Sequence, residues 1–113
     1  MSTQIKGLLE MTIPIKKIRA VLKTRNGHKV TVRIEDTPHF KLLCGDKEAY
    51  VDYLSFARQP DHTLEKYESL INNFQYSQMG KLKLERVGEH YLIRDGLHRI
   101  AILRSKGFKT VRI

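Results

Sequence analysis

The stretch Tyr91–Ile113 constrains this chain more than any other, because it reads as strand, polar turn, helix, turn, strand. Tyr91–Arg94 is short, aromatic and β-branched, which suits a strand. Asp95-Gly96 breaks it. Leu97, Ile100, Ala101 and Arg104 then fall three or four apart, the spacing of one helix face. Lys106 in the last turn and Gly107 just after it are stop signals. Thr110–Ile113 reads as a returning strand. A strand, a crossover helix and a second strand predict a parallel pair joined by a right-handed connection.

The chemistry gathers at the first junction. Asp95, Gly96, His98 and Arg99 crowd the turn where a strand feeds a helix. A helix start carries free backbone N–H groups and a partial positive charge, so it attracts anions. Gly96 lets backbone approach a ligand closely. Arg99 can hold phosphate oxygens with two prongs. His98 can donate to phosphate or move a proton. Asp95 can hold a metal or accept a proton from a hydroxyl.

Ile93-Arg-Asp-Gly-Leu-His-Arg-Ile-Ala101, with Gly107 and Val111, resembles the ParB/sulfiredoxin-like superfamily. Members carry a Gly-x-His-Arg or Gly-x-Arg-Arg turn at a helix start, and in many it holds nucleotide phosphates. The resemblance reaches upstream through a helix at 63–76 and a strand at 81–87, so it covers about the C-terminal half. It implies a phosphate or nucleotide site at Gly96, Leu97, His98 and Arg99. It further implies a catalytic role for Asp95; with the chemistry of the residues themselves, Asp95 and His98 are the expected catalytic groups, with magnesium on Asp95 beside ATP, ADP or another nucleotide. Sulfiredoxins place their reactive cysteine where this chain has Leu97, so sulfinic-acid reduction is not expected. The partitioning members use an Arg-rich turn and a further helix-turn-helix domain, and here His98 stands in the turn. The Asp-Gly-x-His-Arg form is closer to the serine-kinase branch and to bacterial proteins of the superfamily. In that branch an upstream Glu works with the motif Asp; Glu65 and Asp52 are candidates for such a partner by residue type alone.

Composition bounds the rest. A chain of 113 residues predicts one domain, 1–113, with 1–12 as a lead ahead of it. Hydrophobic content of 41% with only 7 Gly and 3 Pro argues against disorder. No apolar run is long enough to span a membrane, and Met1–Glu10 does not read as a signal peptide. The single Cys44 excludes an intramolecular disulfide. It points to a reducing, cytoplasmic compartment and reads as a small core residue. The five histidines show no metal-ligand spacing. A formal charge of +9 favours nucleotides, nucleic acid or acidic partners. The positive residues are spread along the chain, which equally describes a solvated basic surface.

Taken in order, Ile13-Pro-Ile-Lys-Lys-Ile18 resembles the short opening strand of the superfamily. Ile18, Ala20 and Leu22 alternate with polar residues, as do Val30, Val32 and Ile34. Arg25-Asn-Gly-His28 lies between them, so 18–35 predicts a hairpin with a type I′ turn and Gly27 at positive φ. Its basic outer face suits either a polyanion or edge protection. Asp36 or Thr37 caps a helix starting near Pro38. His39, in a loop after Pro38, reads as a surface residue. Lys47–Ala57 predicts a helix whose Tyr50, Tyr53 and Phe56 either stack a base or fill the core, with the core favoured. Gln59-Pro-Asp-His62 ends that helix and caps the next, marked by Leu64, Tyr67, Leu70, Ile71 and Phe74.

These signals together predict an α+β domain, a small mixed β-sheet with packed helices, with its site at the carboxyl end of the Tyr91–Arg94 strand. The expected function is a nucleotide- or phosphate-binding domain, with a small phosphotransferase as its enzymatic form. The alternative is a non-catalytic nucleic-acid-binding or regulatory module of ParB type.

Overall fold

A computed structural model describes residues 12–112. The expected lead at 1–12 therefore lies outside the described residues except for Thr12, which already belongs to a strand. In chain order the elements are β1 (Thr12–Pro14), β2 (Ile18–Lys23), β3 (Lys29–Arg33), α1 (Pro38–Leu43), α2 (Lys47–Ala57), α3 (Leu64–Asn73), β4 (Lys83–Val87), β5 (His90–Asp95), α4 (Leu97–Ser105) and β6 (Thr110–Arg112). The domain is α+β, with a four-stranded mixed sheet in the order β3-β2-β5-β4 and a separate β1-β6 pair.

β2 and β5 run parallel at the centre, with Ile18 opposite Tyr91 and Ala20 opposite Ile93. The predicted alternation holds in β2, where Ile18, Ala20 and Leu22 are buried. β3 and β4 are the edge strands of this sheet, and Val30 of β3 is exposed. Burying the β2 face and leaving the outer edge charged limits strand addition from other chains.

The predicted parallel neighbours β5 and β6 are not neighbours. β2 occupies one side of β5 and β4 the other, so no hydrogen-bonding edge is left for a returning strand. β4 takes its side through a two-residue turn at Gly88-Glu89, with Gly88 at φ 63°. β6 instead pairs antiparallel with β1, Ile13 against Val111.

Local capping explains the helix limits. Thr37, Asp46 and Thr63 each accept a hydrogen bond from the backbone N–H three residues on, at the starts of α1, α2 and α3. α2 ends at Arg58 in the left-handed region, just before Gln59-Pro60. α3 stops at Asn73, short of the predicted Tyr76. α4 ends as expected: Gly107 at φ 92° lets Phe108 N–H reach the Leu103 carbonyl and Gly107 N–H the Arg104 carbonyl.

α4 is the centre of the packing. Ile100, Ala101, Ile102 and Leu103 are all buried. Ile100, Ala101 and Leu103 meet the sheet cluster of Ile13, Ile15, Ile18, Ala20 and Ile93. Ile102 meets Leu42, Tyr50 and Tyr67 on the helical side. Arg104 closes the exposed end of this packing by donating from Nε and Nη2 to Glu35 at 3.1 and 3.0 Å.

Three sequence expectations are corrected here. His39 is buried, not a surface residue: α1 begins at Pro38, so His39 and Leu42 share its inward face. Cys44 is exposed, not core, because it is the residue on which α1 ends. The hairpin turn is a three-residue loop rather than type I′. Gly27 N–H reaches the Thr24 carbonyl, Thr24 N–H reaches the His28 carbonyl, and only Gly27, at φ 88°, is left-handed.

Candidate functional site

The carboxyl ends of β2 and β5 open into a cleft of about 460 Å³. Val21 and Leu22 of β2, Ile93–Asp95 of β5 and Gly96–Arg99 of the α4 start form one side. His39 of α1, Tyr50 and Tyr53 of α2 and Tyr67 of α3 form the floor, and Gln59, Asp61, His62, Thr63 and Lys66 close the far side. This is where parallel strands place ligands, because helix starts collect there.

All five motif residues named from the sequence, Asp95, Gly96, Leu97, His98 and Arg99, line this cleft. α4 differs from the three helices before it in having no side-chain cap. Its N-cap is Gly96 at φ 110°. The left-handed backbone there favours glycine, and a β-carbon would also press on the ends of the Leu82 and Arg99 side chains.

Arg99 is a strut as well as a cleft residue. Its Nη1 donates to the Met79 carbonyl, and its Nη2 stands 3.7 Å from Asp95 Oδ2. The guanidinium passes so near Gly80 that a β-carbon there would be 2.9 Å from Nη1. Asp95, with its side chain 61% exposed, faces solvent at the cleft rim.

His98 sits at the hub of an aromatic cluster. Its Nε2 is 2.9 Å from the Tyr50 hydroxyl. Its ring meets His39, His62 and Tyr67 edge to face at centroid distances of 4.5, 4.8 and 4.7 Å. Burial, then His62 and Arg99, push the His98 pKa down to about 4, so the ring is neutral at physiological pH. It therefore brings no positive charge. When Tyr50 donates to Nε2, Nδ1 keeps its proton and can donate to a ligand oxygen. Burial likewise pushes the Tyr50 hydroxyl up to about 12.

His39 is 2% exposed, and its Nδ1 is buried with no hydrogen-bond partner. Burial, then His98 and His62, hold it well below the usual histidine range. A buried polar atom without a partner costs about 1–3 kcal/mol. The residue that carries this unpaired atom borders the cleft.

The acid partners expected for Asp95 lie elsewhere. Asp52 pairs with Arg25 at the hairpin turn, and neither Asp52 nor Glu65 lines the cleft. Asp61 does, together with His62, Thr63 and Lys66. Lys66 lies in the first turn of α3, and its Nζ donates to the Asp61 carbonyl at 3.1 Å. From the sequence, Asp61 and His62 read only as a loop that caps the next helix, and Thr63 and Lys66 as part of that helix. The loop placed a second helix start, but no local pattern tied it to the α4 start. His39 had a signal, its three-residue spacing from Leu42 inside a helix opened by Thr37-Pro38. Of the aromatic stripe, Tyr50 and Tyr53 are core residues, while Phe56 is half-buried beneath the Arg25 guanidinium at 4.9 Å.

Among the described residues, no group of three or more His, Cys, Asp or Glu side chains is arranged to hold a metal ion. None of their helices is long and apolar enough to cross a membrane. No protein-family model, curated protein or solved structure matches this chain.

Proposed function

We propose that this chain is a ParB/sulfiredoxin-like domain of the cytoplasm that binds the phosphoryl group of a small molecule, a nucleotide with magnesium being one candidate. The observation that carries the reading is the α4 start. It is uncapped, and it lies on a cleft wall that also holds Arg99 and, across the opening, Lys66. Free N–H groups, a helix dipole and two cations together favour an oxyanion. Gly96, Leu97 and His98 supply backbone donors in this reading, and the neutral His98 adds a side-chain donor.

Phosphotransfer is the enzymatic form of the proposal. Magnesium is commonly held by one or two carboxylates together with phosphate oxygens, so Asp95, with Asp61 on the same cleft, would be the residues to hold it and it would neutralise phosphate charge. His98, unprotonated at neutral pH, can take a proton from an acceptor hydroxyl.

The size of the cleft fits a small molecule rather than a nucleic-acid strand. Several basic residues are also paired: Arg25 with Asp52, Arg33 with Asp36, Arg94 with Glu85. Such pairing, at both ends of the hairpin and across the β4–β5 pair, interrupts a continuous basic stripe.

Thermal shift and calorimetry with inorganic phosphate, ADP and ATP, each with and without magnesium, test the proposal. Stabilisation by phosphate-bearing ligands at millimolar concentration is the expected result. No response to any of them, with binding to a DNA or RNA oligonucleotide instead, would replace it with the nucleic-acid module.

A further inference from the structure

The cleft has two chemically different ends. The α4 start, Arg99 and Lys66 make the charged end. The other is a neutral floor, built from His39, Tyr50, Tyr53 and Tyr67 with Gln59 beside them. We infer that the ligand is a sugar phosphate, its phosphate at the α4 start and a hydroxyl of its non-aromatic carbon skeleton received by His39. The inference rests on the phosphate-binding reading above and names the molecule that carries the phosphate.

The first support is the orphaned His39 Nδ1. The ring borders the cleft, is neutral, and has an unused polar atom. A hydroxyl both donates and accepts, so it satisfies this nitrogen in either tautomer of the ring. A charged group would meet no opposite charge on this floor.

The second support is the state of the aromatic faces. Flat stacking of a nucleobase needs an open ring face. Tyr50, Tyr53 and Tyr67 are 0, 6 and 2% exposed. Their faces are already used: Tyr50 lies 4.9 Å from Tyr67, and His39 lies 5.3 and 5.4 Å from Tyr50 and Tyr53, edge-on to both. The three tyrosine faces thus offer no platform for a base, and with the Tyr50 hydroxyl already on His98 the unpaired polar atom of the floor is His39 Nδ1. Tyr67 is committed as well, since its hydroxyl donates to the His39 carbonyl at 2.9 Å. That bond holds the His39 backbone in place and leaves the imidazole free to pair.

The test is a calorimetric titration of the full chain at pH 7.5 with inorganic phosphate, ribose 5-phosphate and AMP. The last two share a sugar and a phosphate and differ in the base. Ribose 5-phosphate is expected to bind at least about tenfold tighter than phosphate, as one hydrogen bond gained by a buried orphan allows. AMP is expected to bind no tighter than ribose 5-phosphate. In His39→Phe, which keeps an aromatic ring but removes the nitrogen, ribose 5-phosphate should fall to the level of phosphate, with phosphate itself unchanged. The sugar-phosphate reading is overturned, with phosphate binding intact, if AMP is the tighter ligand, if ribose 5-phosphate matches phosphate, or if His39→Phe keeps the difference. The wild-type comparison decides the matter even where the variant does not fold. Failure of phosphate itself to bind overturns both readings together.

Discussion

The Tyr50 hydroxyl and His98 Nε2 lie 2.9 Å apart, joining α2 to the first turn of α4 at the floor of the cleft. The contact links two elements whose chain positions are distant, and it orients the ring of the motif histidine. Tyr50→Phe removes the hydroxyl and leaves the aromatic packing. Its expected cost is about 1 kcal/mol of stability, the net value of one hydrogen bond. Nitrogen NMR of the His98 ring should show a changed tautomer balance. An unchanged spectrum and unchanged urea midpoint would mean that the hydroxyl is spectator to the ring.

Acid should destabilise the domain through the same histidine. The folded state keeps His98 neutral down to about pH 4, whereas an unfolded chain protonates it near 6.5. The unfolded state therefore binds more protons between those values, and stability falls as pH drops through that window. His98 faces His39, His62, Tyr50, Tyr67 and Arg99, none of which supplies a negative charge at neutral pH to offset this. The full effect is on the order of 3 kcal/mol, and His39 acts in the same direction. Urea titrations at pH 7 and pH 4.5 measure it. The double variant His39→Phe, His98→Asn should show a shallower loss across that interval.

Much of this architecture was legible locally, and what was missed is non-local. Thr37 and Gly107 set helix limits through backbone bonds made within a few residues, so composition and spacing reveal them. The motif turn was legible for the same reason. The partner of β6 was not, because it depended on β4 already holding the second side of β5. Nor was the convergence of His39, His62 and His98, which come from three different elements. Spacing along the chain argued against a histidine cluster, and tertiary packing made one.

Gly96 should tolerate no side chain. At φ 110°, an alanine would be strained, and its β-carbon would press on Leu82 and Arg99. Each effect costs about 1–3 kcal/mol in other proteins. Gly96→Ala is thus expected to lose at least about 2 kcal/mol by urea denaturation, and to displace the Arg99 guanidinium. Gly27→Ala, with nothing within 4 Å of the new carbon, should lose less, since only backbone strain at φ 88° applies. Equal losses at the two positions would show that the contacts at Gly96 are relieved by movement of Leu82.

Arg99 and Asp95 separate binding from structure. Arg99 holds the Met79 carbonyl, so Arg99→Ala should lower the melting temperature as well as weaken phosphate binding. Loss of a charged donor from an anion site is expected to cost about 1–3 kcal/mol of affinity. Lys66→Ala provides the cleaner comparison, because among the described residues its side chain makes one polar bond, to the exposed Asp61 carbonyl. It should weaken phosphate with little loss of fold. Asp95 is different again. It stands 3.7 Å from Arg99 and repels an incoming anion, so Asp95→Asn should leave phosphate affinity equal or tighter while removing any magnesium-dependent gain in nucleotide binding. Calorimetry of the four proteins with phosphate, then with ADP and magnesium, reads all of these. Unweakened binding in both cation variants would move the anion away from the α4 start. A magnesium effect that survives Asp95→Asn would assign the ion to another carboxylate, with Asp61 next in line on the cleft wall.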